Sequence, residues 1–255
     1  MYVKMEIYFN DKVAFIAGAS MGIGAAIAKT LAECGASVGL MARREEPLRA
    51  LEQEIINRGG KAFAITGDVS KPEDVQKAIL ATVEKFGGLH LAVNNAGISG
   101  DFGLLHETTI ENWRKVLSVN LDGIFYGMKY QIQEMLKSGG GSIVNIASVE
   151  ATTILPMNPS YTTSKHAILG LTKTAAYDYA KLGIRINTVS PGVIRTPLVE
   201  SNKEISAAMA KVVPQGRMGE PQEIADAVAY VLSDKASYMT GTELIIDGAF
   251  LLRQM

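Results

Sequence analysis

One cysteine, three histidines and no surplus of either charge leave this 255-residue chain without the means for several common kinds of site. Cys34 alone cannot close an internal disulfide, and no Cys/His spacing matches a zinc site, so no metal is expected and a reducing compartment, the cytoplasm, is the simpler expectation. With 25 basic against 26 acidic side chains, the chain lacks the basic footprint that nucleic acid or an anionic membrane surface requires. No segment approaches about 18 consecutive uncharged apolar residues, the length of a membrane span. The first nine residues mix Lys4 and Glu6 among apolar ones, unlike a signal peptide. His106 and His166, each isolated, read as ordinary surface or core residues. What the chain has in excess is glycine, 25 residues, with no collagen period and no low-complexity bias. Such an excess belongs in tight turns.

Seven short runs rich in Val, Ile, Leu and Ala recur at 13–17, 37–42, 62–66, 89–93, 142–147, 185–189 and 243–247. Most are apolar throughout, the pattern of strands buried on both faces of a parallel sheet. Helix-period segments lie between them, among them Ile23, Ile27, Leu31 and then Val75, Ile79, Val83, with one long segment over 107–137. The alternation predicts an α/β fold: one Rossmann-type, doubly wound parallel sheet of about seven strands with helices on both faces, spanning 1–255 as a single domain. Ligands of such sheets bind beyond the carboxyl ends of the strands. The irregular stretch 196–221 is longer than an ordinary connection and is expected to be a lid over the substrate.

The strand ends carry the candidate residues. Gly18-Ala19-Ser20-Met21-Gly22-Ile23-Gly24 follows the first strand and leads into a helix, an arrangement in which Cβ-free backbone and free N–H groups receive a diphosphate. The same glycines would also serve a plain strand-to-helix turn. Asn94-Asn95-Ala96-Gly97 ends the fourth strand and Ser148 the fifth; each alone is equally a turn or a cap. Tyr161 and Lys165, four apart at the start of a helix, share a stripe with Ile168 and Thr172. Asn120 lies four after Val116 and four before Ile124, on an otherwise apolar stripe, where a polar amide means either a structural network or a site.

Taken together, from residue 12 to about 249, these positions resemble the short-chain dehydrogenase/reductase family. Five parts carry the resemblance: Gly18, Gly22 and Gly24; Asp68-Val69; Asn94-Asn95-Ala96-Gly97; the set Asn120, Ser148, Tyr161 and Lys165; and Pro191-Gly192-Val193-Ile194-Arg195-Thr196. The resemblance implies a nicotinamide-dependent oxidoreductase that interconverts a secondary alcohol and a ketone by hydride transfer. Tyr161 would be the general acid/base and Ser148 would hold the reacting oxygen. Lys165 would lower the pKa of the tyrosine and bind the nicotinamide ribose, and Asn120 would position a relay water. The cofactor would lie along Gly18, Ser20, Met21, Gly22, Ile23 and Gly24, with Asp68 and Val69 at the adenine. Asn94, Ala96 and Gly97 would flank its ribose, and Pro191, Gly192, Ile194 and Thr196 would cover the carboxamide.

At the end of the second strand, where an acid would select NAD(H), the chain has Ala42 followed by Arg43 and Arg44. These favour NADP(H), whose extra phosphate a guanidinium can grip, with NAD(H) as the alternative because Met21 stands where many NADP-preferring relatives carry a base. Ala17 replaces the threonine that the family usually has before the first glycine, which puts the bracing of the loop in question. The substrate is expected to be a small neutral or apolar carbonyl or alcohol, met by Ser99, Gly100, residues 150–152, Asn158, Gly192, Val193 and a lid from Leu198 with Met209, Val212 and Val213. Relatives are homotetramers as a rule, and Phe250, Leu251 and Leu252 form a tail expected to bury against a neighbour. The alternatives are a 3-oxoacyl-[acyl-carrier-protein] reductase, for which Lys129 and Lys173 are a thin docking patch, and a cofactor-binding regulator without catalysis.

Overall fold

The computed structural model describes residues 6–196 and 203–252 of the chain. Seven strands form a single parallel sheet in the order β3-β2-β1-β4-β5-β6-β7. They are β1 Val13–Ala17, β2 Ser37–Ala42, β3 Lys61–Thr66, β4 Leu91–Asn94, β5 Gly141–Ile146, β6 Ile184–Pro191 and β7 Glu243–Ile246. The chain reverses its order of winding between β1 and β4, and the crevice of a doubly wound sheet opens at that point. The expected runs are these strands with ends moved by up to two residues. β3 gains Lys61 because it is an edge strand, paired only with β2, where a charged end can face water. β4 begins late because the loop before it is held otherwise: the Leu89 amide donates to Ser138 Oγ at 3.2 Å, and Val13 donates to His90 Nδ1 at 3.1 Å.

Helices cover both faces. Helices α1 Gly22–Glu33 and α2 Glu45–Asn57 pack on one side with α8 Pro221–Leu232. On the other lie α3 Pro72–Phe86, α5 Gly123–Lys137 and α6 Pro159–Tyr179. Alternation along β1 shows how the two cores are separated: Ala14 and Ile16 join the first, Phe15 and Ala17 the second, all nearly sealed from water.

The segment expected as one helix over 107–137 is broken into three. Helix α4 is Ile110–Leu117, followed by a π-helical turn Ser118–Asp122 and then α5. The start moves to Ile110 because Thr109 caps α4, accepting from the Asn112 amide at 3.1 Å, while the Glu107 carboxylate is taken up by the Leu104 amide at 2.8 Å. The π turn carries Asn120 at its centre. Such turns often coincide with functional positions. Of the expected lid, residues 197–202, Leu198 among them, lie outside the described residues. Beyond them come α7 Lys203–Val212 and a return past Gly219, whose amide and carbonyl pair with Val193 O and Arg195 N.

Candidate active site

A cleft of 310 Å³ opens at the carboxyl edge of the sheet where the winding reverses. Its floor is the glycine loop. Gly18 sits at φ 78°, and a Cβ there would stand 2.6 Å from the Ala96 amide nitrogen, so the loop after β4 can press against it only because Gly18 has no side chain. Gly24 is packed as tightly against the Gly18 carbonyl and the Asn95 carboxamide. Helix α1 begins at this loop with no side chain capping it and no acid in its first turn, so its exposed N–H groups and positive end face the cleft. By contrast α2 places Glu45 and Glu46 in its own first turn. A Cβ-free cradle under an unneutralised helix start fits a diphosphate.

Ser20, Met21, Arg43, Arg44, Asp68 and Val69 line the outer half of the cleft, and Ala96 and Gly97 the inner half. Asp68 is fixed by accepting from the Ser70 amide and hydroxyl at 3.0 and 2.9 Å. Both arginines are exposed, and Arg44 Nη2 lies 3.0 Å from Met21 Sδ, so the two walls of the mouth touch. Thr196 reaches over the loop, its Cγ2 lying 3.3 Å from where a Gly22 Cβ would be. Ile23 and Ile194 turn their side chains into the first core, leaving only backbone toward the cleft. Gly192 is drawn against β7, its amide donating to Ile246 O at 2.9 Å, and Pro191 closes β6 before it.

Asn94 can contribute to the expected ribose wall only through its backbone. Its side chain faces away from the cleft into a buried network, donating to Asn145 Oδ1 at 2.8 Å and to Gln131 Oε1 at 3.1 Å, and accepting from Gln131 Nε2 at 2.8 Å. The next residue, Asn95, has the role at the cleft: its Nδ2 donates to Gly18 O at 2.9 Å and its amide to Ala17 O at 3.1 Å. That clasp braces the glycine loop where Ala17 offers no hydroxyl. Ile98 and Val119, which the sequence did not single out, also line the cleft, the latter on the π turn beside Asn120.

Gly97 joins the cleft to the second group of side chains, because Lys165 Nζ lies 3.7 Å from where its Cβ would be. Lys165 is 4% exposed, donates to Ile146 O at 3.1 Å and stands 5.4 Å from the centre of the Tyr161 ring. Burial pushes its amine down to about 8. Ser148 lies two residues beyond β5; its hydroxyl accepts from the Glu150 amide at 3.2 Å and is near enough to the Tyr161 phenol to lower its pKa. By sequence the lysine should dominate the tyrosine's acidity. In the protein alone burial dominates and raises it, Ser148 pulls it back, and the nearby Glu150 carboxylate raises it again.

Asn120 is fully buried, with its side chain spent on structure: Oδ1 accepts from the Ile98 amide at 2.8 Å, and Nδ2 donates to Ile98 O at 2.9 Å and Ser164 Oγ at 3.1 Å. Of the expected substrate wall, Asn158 is also structural, 1% exposed and capping α6 through the Tyr161 amide. Val213 is buried with Val149 and Phe250, so the tail begins by packing on its own chain, while Leu252 stays 83% exposed. Phe102, Leu104, Leu105, Ile154 and Met157 are exposed on two loops beside the start of α6, joined by the Gly103 amide donating to Met157 O at 2.7 Å. Among the described residues no cluster of His, Cys, Asp and Glu could hold a metal, and no helix is long and apolar enough to cross a membrane.

The family described as "Enoyl-(Acyl carrier protein) reductase" matches residues 18–250. The chain is 46% identical over 246 residues to the cyclohexanol dehydrogenase of Acinetobacter sp. (strain SE19), covering 96% of this chain and 97% of that one. Among solved structures it superposes on levodione reductase with a TM-score of 0.93 at 35% identity, covering 96% of this chain and 100% of the other. A short-chain type dehydrogenase/reductase from Mycobacterium marinum matches with a TM-score of 0.92 at 36% identity, over 96% and 98% of the two chains.

Proposed function

Since the chain belongs to the short-chain dehydrogenase/reductase family and is an oxidoreductase using a nicotinamide cofactor, we propose that it interconverts a cyclic or otherwise apolar secondary alcohol and its ketone, with Tyr161 as general acid/base. One observation carries the reading: a half-buried Tyr161, whose phenol senses Ser148, stands 5.4 Å from the ammonium of a buried lysine at the inner end of a diphosphate-fitting cleft.

The bound dinucleotide would exchange hydride with the carbon of the substrate. The chain's own groups do the rest. Tyr161 gives a proton to the carbonyl oxygen, or takes one from the alcohol, and Ser148 hydrogen-bonds the same oxygen and holds it toward the phenol. Lys165 presents a cation to the phenolate and to the cofactor's ribose hydroxyls. Asn120 acts by shaping the turn at Ile98 through the contacts described above, so a relay water would have to be met by its backbone rather than its side chain. Gly18, Gly22 and Gly24 with the start of α1 hold the diphosphate, Asp68 and Val69 the adenine, and Gly192 and Thr196 the carboxamide end.

Arg43 and Arg44 at the mouth, with the neutral Ala42 before them, favour NADP(H) over NAD(H). The apolar loops at 102–105 and 154–157 and the resemblance to a cyclohexanol dehydrogenase support a neutral ring or branched substrate. Residues 196–221 act as its lid, and the working form is a homotetramer. The test is initial rates with cyclohexanol and other secondary alcohols against NADP⁺ and NAD⁺, alongside Tyr161→Phe. We expect turnover that is faster with NADP⁺. In Tyr161→Phe turnover should fall at least about 10³-fold with reduced-cofactor binding retained. Activity surviving in Tyr161→Phe would remove the mechanism, and faster turnover with NAD⁺ would remove the assignment of the arginines.

A further inference from the structure

Both backbone polar groups of Tyr161 are held by buried side chains that lead to two adjacent residues of another loop. The Tyr161 amide donates to Asn158 Oδ1 at 3.1 Å, and Asn158 Nδ2 donates to Ser99 O at 2.8 Å. The Tyr161 carbonyl accepts from Ser164 Oγ at 2.7 Å; Ser164 accepts in turn from Asn120, which clasps both backbone groups of Ile98. Ile98 and Ser99 directly follow Gly97, at the inner end of the cleft. The tyrosine is thus tied through two separate arms to the backbone beside the cofactor.

We propose that Asn158 is a positioning residue, whose carboxamide sets the distance between the Tyr161 phenol and the cofactor face by bridging the first turn of α6 to the Ser99 carbonyl. The inference rests on Tyr161 being the acid/base group. Its basis is chemical. A helix cap needs only an acceptor, which serine, threonine or aspartate supplies as well as asparagine. Here the same side chain must also donate to a carbonyl on a different loop, and of the good capping side chains asparagine is the one with an amide donor beside its acceptor. Asn158 is 1% exposed, so neither bond is shared with solvent. The residue before it, Met157, is held at φ 60°, a left-handed conformation that a non-glycine residue adopts only when its surroundings impose it. The chain bends just before this carboxamide, with the Met157 carbonyl itself held by the Gly103 amide at 2.7 Å.

The discriminating variant is Asn158→Ser, which keeps an acceptor for the Tyr161 amide but is too short to reach Ser99. A purely structural cap predicts parental behaviour. Positioning predicts a cooperative fold with a melting temperature lowered by the lost bond to Ser99, a KM for cofactor within about twofold, and a kcat down roughly 10- to 100-fold, the scale on which a misplacement of about 1 Å acts. A second readout needs no substrate: the tyrosinate absorbance titration of Tyr161, taken as the difference from the same chain with Tyr161→Phe. The charged groups facing the phenol are Lys165 from α6 and Glu150 from the turn after β5, and both are untouched by the substitution. Because burial is what raises this phenol, a loosened first turn should let it titrate lower, toward the ordinary value. Parental kcat together with a parental titration would overturn the proposal. A shifted titration in a protein that oxidises no alcohol would keep the bridge and sink the functional reading instead.

Discussion

At the residue scale the site works against its own stability. Lys165 is an amine sealed in the second core, pushed from an ordinary 10.5 to about 8 by loss of water. The unfolded chain keeps the ordinary value, so between about pH 8 and 10.5 it binds more protons than the folded protein, and stability rises with pH across that window. Below about pH 8 the folded state carries the whole cost of the buried ammonium, on the order of 3 kcal/mol. Replacing Lys165 by methionine should therefore stabilise the protein at pH 7 while removing turnover. The gain, read as the difference in unfolding free energy from parallel denaturant titrations, should shrink as pH approaches 10.5. A gain independent of pH, or none, would show that the lysine is not a strained group.

At the level of elements, most of the fold could be read because parallel strands covered on both faces are continuous apolar runs, and five of the seven expected runs differ from the strands by one residue at most at each end. What could not be read was tertiary. The choice between Asn94 and Asn95 depends on which face each side chain takes at the end of β4, and successive strand residues take opposite faces. One asparagine therefore enters the network with Gln131 and Asn145, and its neighbour braces the glycine loop. The π turn at Ser118–Asp122 was equally hidden, since its apolar neighbours keep a helical period through it; the only signal was the amide of Asn120 on that stripe. Arg185 was invisible for another reason, as it sits within a strand run. Its guanidinium donates to the carbonyls of Val231, Leu232, Ser233 and Met239 at 2.8 to 3.2 Å, closing the C-terminus of α8 from β6. Arg185→Ala would leave four half-buried carbonyls to find other partners and should cost about 3 kcal/mol. Lysine, with one compact ammonium, should recover only part of that. Both would appear as a lower denaturation midpoint with specific activity intact below the transition, and unchanged midpoints would mean that the end of α8 is held by packing alone.

For the molecule as a whole, near-neutral charge suits the proposed site, where loop N–H groups and one or two arginines rather than a basic surface would receive an anionic cofactor. The surface is more informative about other copies of the chain. Phe125 and Leu136 on α5 and Tyr177 on α6 are 46, 44 and 86% exposed, and Tyr238, just before β7, is exposed completely. Among the described residues the edge of β7 has no strand beyond it, and Ile245 on it is 40% exposed. Apolar side chains on two long helices and an open sheet edge are surfaces that further copies of the chain would cover, which supports the proposed homotetramer even though Phe250 is already packed on its own chain. Light scattering on the eluting peak should give four chains at micromolar concentration. The melting temperature should fall on dilution, because assembly stabilises only the folded state. Introducing a charge on the helix face by Phe125→Glu together with Tyr177→Glu should yield smaller species with a lower melting temperature, while the buried contacts of Tyr161 and Lys165, which lie on the opposite side of α6, stay intact. A parent chain that scatters as a monomer across that range, with a melting temperature independent of concentration, would refute the assembly and leave those aromatics as plain surface.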